Sequence, residues 1–332
     1  MRVFTLMAML LWVVPAAAET EWRIDTSPKY DALCLVGVLA DDPFYTRYYE
    51  TELEELQESL SPETFDAASR TYRAFKDEGV LAGPWLALAY SVVHEDSIEA
   101  AIDVTENPED MQRGLEASNY WDEKEWAIYE RARQDVLAML RGMREANFED
   151  WWKKTAEEPS RTRAKELEPV LAKIDVVPMI EKAVGRTLES ERITLYAARF
   201  CRPHGIRITG NRFLLDIVDS RDPLPTAVAT AIHEMVHPPF DVDDPRMVRI
   251  IEVLEQDPFV HRRWKDHDPS FGYNTFKSYV DEDVTKALDQ LIGERVGMTY
   301  TDDVEERWIQ NDEGMHVLAA AVYELMKAEN FL

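Results

Sequence analysis

Positive charge is scarce in this chain: 37 lysines and arginines face 64 aspartates and glutamates over 332 residues, a formal net charge of −27. Such a surface repels phosphate backbones and anionic lipid, because binding either depends on basic side chains that neutralise phosphates. Nucleic acid is therefore set aside as a partner, and the acidity is read as favouring solubility. Long apolar runs are missing too. Past the first eighteen residues, no stretch reaches the roughly 20 apolar residues that cross a bilayer, so no membrane span is expected in the mature chain. Cysteine is nearly absent, with only Cys34 and Cys201, and there is no C-x-x-C pair. In an oxidising compartment the two could close a disulfide, but Cys34 sits in the apolar run ALCLVGVLA, where a thiol simply packs; both readings stay open. A G-x-S-x-G nucleophile elbow and a glycine-rich phosphate loop are also lacking, which removes the chemistries they support.

The chain does hold an N-terminal leader pattern. MRVFTLMAMLLWVVPAAA has one positive charge at Arg2, an apolar run from Val3 to Val14 and an Ala16-x-Ala18 exit. That pattern predicts a signal peptide over residues 1–18, cleaved after Ala18, and hence an exported protein, periplasmic or secreted. The mature chain exceeds one ordinary compact core, so one large or two smaller domains are expected. Residues 19–186 read as helical and strongly charged. Phe44, Tyr48, Leu53 and Leu56 recur near helical spacing, Ser61-Pro62 starts a helix, and amphipathic stretches occupy about 63–78, 83–94, 122–147 and 161–172. Trp121, Trp126, Tyr129, Trp151 and Trp152 are assigned to core packing, where large aromatics at this spacing belong.

After Glu191 the composition changes. RITLYAARFC and GIRITGNRFLLDIV are β-branched and aromatic, and RPHG between them predicts two strands in a hairpin-like arrangement. DSRDPLPTA then turns the chain into a helix ending AIHEMVHPPF, Ala231 to Phe240. The expected fold is thus α+β, with a helical N-terminal region and a domain over 187–332 that holds a small sheet and this helix.

On a helix, residues four apart stand one turn above each other, so His233 and His237 can direct both imidazoles at one ion. Glu234 lies on the adjacent flank, placed to take a proton from a metal-activated water as general base. Pro238-Pro239 ends the helix at once, leaving His237 as a terminal ligand. Ile193 to about Gly297 resembles the zincin superfamily of zinc metallopeptidases, in the poorly characterised exported branch where HExxH is closely followed by a small residue or proline and then an aromatic. The resemblance implies a catalytic Zn2+, a peptide or protein substrate, and pairing of that substrate with the edge strand in GIRITGNRFLLDI.

The metzincin extension is excluded, because HEMVHPPFDVDD lacks its glycine and third histidine. The gluzincin arrangement remains, in which a second helix supplies a glutamate. In TFKSYVDEDVTKALDQLIGERVG the resemblance points to Glu282 within YVDEDVTKA, with Asp281 and Asp283 as the fallback ligands. Lys286, one turn on, is placed to pair with Glu282 or Asp283. An oxyanion donor is expected among His267, Tyr273 and His316. The rival is a non-catalytic periplasmic helical binding protein whose HExxH is inert.

Overall fold

Serine, aspartate and proline punctuate the first half of the chain, and the helices start where they stand. The structure is a computed structural model that describes residues 20–332 except 242, 269, 270, 272, 274 and 302. The expected signal peptide, residues 1–18, lies outside the described residues. Strand β1 (Glu21–Asp25) leads into α1 (Pro28–Cys34), α2 (Val36–Leu39), α3 (Pro43–Thr46), α4 (Glu50–Ser59), α5 (Pro62–Lys76) and α6 (Ala82–Tyr90). There follow α7 (Ile98–Glu106), α8 (Glu109–Glu116), α9 (Glu123–Glu145), α10 (Phe148–Trp152), a π-helical turn, α11 (Glu158–Leu171) and α12 (Val177–Val184). Ser27, Asp42, Ser61, Ser97 and Asp122 each accept a hydrogen bond from a backbone N–H of the turn they open, relieving donors that have no helical partner.

The second part holds β2 (Arg192–Ala197), β3 (Ile206–Ile208), β4 (Arg212–Leu215), α13 (Pro223–Val236), α14 (Pro245–Glu255), α15 (Pro258–Lys265), α16 (Phe276–Val296), α17 (Val304–Gln310) and α18 (Val317–Ala328). Among the described residues the four strands form one sheet in the order β1-β2-β4-β3, with β3 antiparallel to β4 and the other pairs parallel. This corrects the expected hairpin. RITLYA pairs parallel with β4, and the hairpin lies inside GIRITGNRFLL, where Gly210 adopts φ +75° and turns the chain back. The RPHG segment is a longer connection. The overall class is mixed α/β, mostly helical with a small sheet.

Alternation along the strands divides the core in two. Tyr196, Ile206, Ile208 and Leu214 face the N-terminal helices and join their aromatic core, in which Tyr30 meets Tyr196 edge-on at 4.8 Å. Ile193, Leu195, Phe213 and Leu215 face the other way, onto α11, α12 and α13. The sheet is therefore a middle layer, and α13 is pressed against it. Cys34 and Cys201 are both buried free thiols, and burial pushes both well above the usual thiol pKa. Trp126, Tyr129 and Trp152 are buried in the core as expected, while Trp121 and Trp151 pack half-buried against it.

Candidate metal centre

Helix α13 is held by small and branched residues. Ala227, Val228, Ala231, Ile232, Met235 and Val236 have no exposed surface, so the opposite flank, with Thr230, His233 and Glu234, is turned toward a pocket of about 710 Å³. The helix stops at Val236, and His237 takes an extended ψ of 135°, as expected for a residue before proline. The last carbonyls would be orphaned there. Arg186, just past α12, meets them: its guanidinium donates to the carbonyls of Met235, Val236, His237 and Pro238 at 2.9–3.4 Å. Arg207 on β3 donates to the Glu234 carbonyl. Two positive side chains thus replace the missing helical turn and complement the negative end of the helix dipole.

Helix α16 shares a core with α13 through Leu288 and Ile292. Its Thr275–Ser278 capping box sets where the helix begins. The crossing brings Glu282 to the two histidines. His233 Nε2 and His237 Nε2 lie 3.3 Å apart, and the Glu282 oxygens lie 3.6 Å from His233 Nε2 and 3.3 Å from His237 Nε2. Zinc bonds of 2.0–2.1 Å at tetrahedral angles separate ligand atoms by about 3.4 Å, so the donor set fits one small divalent ion.

Both histidines are oriented from behind. His233 Nδ1 donates to Asp289 Oδ2 and His237 Nδ1 to Asp281 Oδ2, each at 2.8 Å. An ionised carboxylate only accepts, so each Nδ1 carries hydrogen, and each Nε2, turned toward the partner ring and Glu282, is the nitrogen left to ligate an ion. Asp289 is in turn clamped by Arg307 at 2.6 and 2.9 Å. Burial opposes ionisation of Asp289, but Arg307 and His233 outweigh it and hold the carboxyl below its usual range. Without a divalent ion a proton serves the cluster instead: burial disfavours a charged His237, yet hydrogen bonds to Asp281 and Glu282 prevail and lift its pKa to about 10.

The fallback ligands lie elsewhere. Asp281 supports His237, while Asp283 is fully buried and accepts from His316 and from the N–H groups of Leu318 and Ala319. Lys286 pairs with Glu282 at 3.1 Å and approaches Asp312 at 3.8 Å; Asp283 is not its partner. Of the three oxyanion candidates, Tyr273 reaches the site: its hydroxyl donates to Glu282 Oε1 at 3.1 Å and it lines the pocket. His316 is locked between Asp283 and Asp312, and His267 lines a separate cavity with Phe271 and Met315.

Sequence reading missed Tyr300, whose hydroxyl donates to Thr230 at 3.0 Å in the same pocket. It also missed Arg307, Arg186 and Arg207, for which no local pattern exists. Asp289 was readable: it follows Glu282 by seven residues, two turns along the same helical face. Comparison of the chain with protein-family models, curated proteins and solved structures found no match.

Proposed function

We propose that the chain is an exported zinc-dependent hydrolase, a metallopeptidase of the gluzincin type, in which His233, His237 and Glu282 hold the ion and Glu234 is the general base. One observation carries this reading. Two imidazole Nε2 atoms and a carboxylate converge within 3.3–3.6 Å, each imidazole braced by its own aspartate. Deprotonated, these three groups repel one another unless a metal cation lies between them, the place that a proton on His237 otherwise fills. Among ordinary cations, zinc suits a set of two nitrogens and a carboxylate. When bound, the ion supplies Lewis acidity and makes a water acidic enough to lose a proton near neutral pH.

Glu234, in the same pocket, is placed as the general base that would take a proton from the attacking water and return it to the leaving amine. Tyr273 and Tyr300 bring phenol hydroxyls to the pocket, and each would donate to a developing oxyanion once turned from its present acceptor, Glu282 or Thr230. Gly205 is exposed at the start of β3, where a side chain would collide with Thr230 and crowd the Glu234 carboxylate, so the edge strand passes close to the base. A peptide substrate rests on this edge strand and on the resemblance. Export, to the periplasm or beyond, rests on residues 1–18. No helix among the described residues is long and apolar enough to cross a membrane.

Metal analysis tests the reading. Wild type is expected to hold one zinc, His233→Ala and Glu282→Ala to lose it, and Glu234→Gln to keep it while losing hydrolysis. The Lys286–Glu282 ion pair favours the rival, a metal-free binding protein. Protein without metal whose stability His233→Ala leaves unchanged would establish that rival.

A further inference from the structure

A second groove, of about 860 Å³, opens on the far side of Gly205, which lines both it and the pocket over Glu234. One wall is the start of β3. The other comes from the N-terminal helices: Val80, Leu81, Trp85 and Leu88 from α6 and the turn before it, and Ile128 from α9. Trp85 and Ile128 are buried in the floor, while Val80, Leu81 and Leu88 are half-buried. The Trp85 indole is fixed by donating to Glu125 at 2.8 Å, and Arg131 pairs with Glu78 at 3.0 Å on the rim.

The strand register tells which backbone groups face this groove. Thr194 N–H donates to the Asn211 carbonyl and Ala198 N–H to the Leu215 carbonyl, so Asn211 and Leu215 are turned toward β2. Arg212 and Leu214, out of phase with them, are turned toward β3, where they oppose Ile208 and Ile206. Arg207 therefore directs its N–H and C=O away from β4, across the open edge. A main-chain donor and acceptor beside an apolar floor, continuous with the general base, are what an extended peptide needs.

We propose that this groove is the specificity subsite of the hydrolase. A substrate strand bonds to Arg207 and seats a bulky apolar side chain against Trp85, Leu88 and Ile128, while its scissile bond lies beyond Gly205 over Glu234. The helical N-terminal region thereby selects what the centre cleaves. This rests on the peptidase reading above, and the test separates the two. Zinc-loaded protein is incubated with denatured casein and the cleavage positions are mapped by mass spectrometry.

The expected result is a bulky apolar residue at one constant offset from the cut. Leu88→Glu lowers kcat/KM at such sites at least tenfold, mainly through KM, with metal content and melting temperature unchanged. Leu88→Ala, which leaves a larger floor, shifts the preference from aliphatic toward aromatic residues and serves if the charged variant does not fold. Cleavage with no residue preference at any offset, or with a preference that neither variant alters, overturns the groove and leaves the peptidase standing. No cleavage by the zinc-loaded wild type overturns both.

Discussion

The N-terminal helices and the α13–α16 crossing are both buried, yet they are filled with different chemistry. The first is mainly an aromatic and aliphatic core, with Tyr90, Tyr129, Phe75, Leu140 and Trp152 almost entirely out of solvent and Lys29 and Asp31 buried beside them. The second buries Glu282, Asp283, Lys286, Asp289 and Gln290 on one helix. Removing charges from water costs several kcal/mol each unless they are paired, so the two regions reach burial by different routes. The helical core is stabilised by the hydrophobic effect, which tolerates change at one position. The crossing is stabilised by matched charges, so losing one partner leaves the other buried and alone. Such networks contribute little net stability but fix geometry, which is what the proposed three-ligand centre requires.

The sharpest way to break this contrast is Asp289→Ala. It takes from the buried Arg307 guanidinium its paired carboxylate, leaving it Gln290, and frees the His233 ring. The expected loss is about 3–5 kcal/mol in urea unfolding, with zinc affinity falling roughly 10–100-fold in a competitive chelator titration. The next test is a pH profile within the helical half. Asp31 is fully buried between Trp152 and the Phe200 N–H, and burial raises its pKa from 3.8 to about 7 against those two hydrogen bonds.

The folded chain thus holds a proton at Asp31 that the unfolded chain releases near pH 4. The contribution to stability is complete below about pH 4 and declines as pH rises to 7, by on the order of 4 kcal/mol. Asp31→Asn removes that decline. Equal slopes for variant and wild type across pH 4–8 would show that the carboxyl stays ionised.

Leu140→Ala, deep in α9, is expected to cost about 3 kcal/mol through the cavity it leaves, with zinc content unchanged. A parallel loss of metal would show that the two regions are not independent. The smallest effect is expected for Arg186→Ala. Freeing the carbonyls at the end of α13 should cost about 1–3 kcal/mol and weaken zinc binding by less than Asp289→Ala does, since His237 keeps Asp281. Calorimetry beside the same chelator titration reads both numbers.

Helices that signal themselves locally were legible. Ser61-Pro62 opens α5 and the stretch at 122–147 is α9, because caps and apolar spacing act within a few residues. The strands were located but mispaired. A β-branched run marks a strand without naming its neighbour, and the choice was made by Gly210 and by β1, which enters the sheet from the other end of the chain. The acids of α16 illustrate the same limit. Asp281, Glu282, Asp283 and Asp289 are chemically alike in sequence, and their roles separate only when α13 packs on one flank and α18 on another.

What the residues determine alone is the pairing of His233 with His237 and the place of Glu234 beside them, since one turn of helix makes those neighbours whatever surrounds it. Tertiary packing decided the rest. Glu282 reaches the imidazoles because Leu288 and Ile292 seat α16 on α13 in one register, and Arg186 ends α13 from about fifty positions earlier in the chain. Contacts across such separations follow from how whole faces fit, which no local spacing encodes.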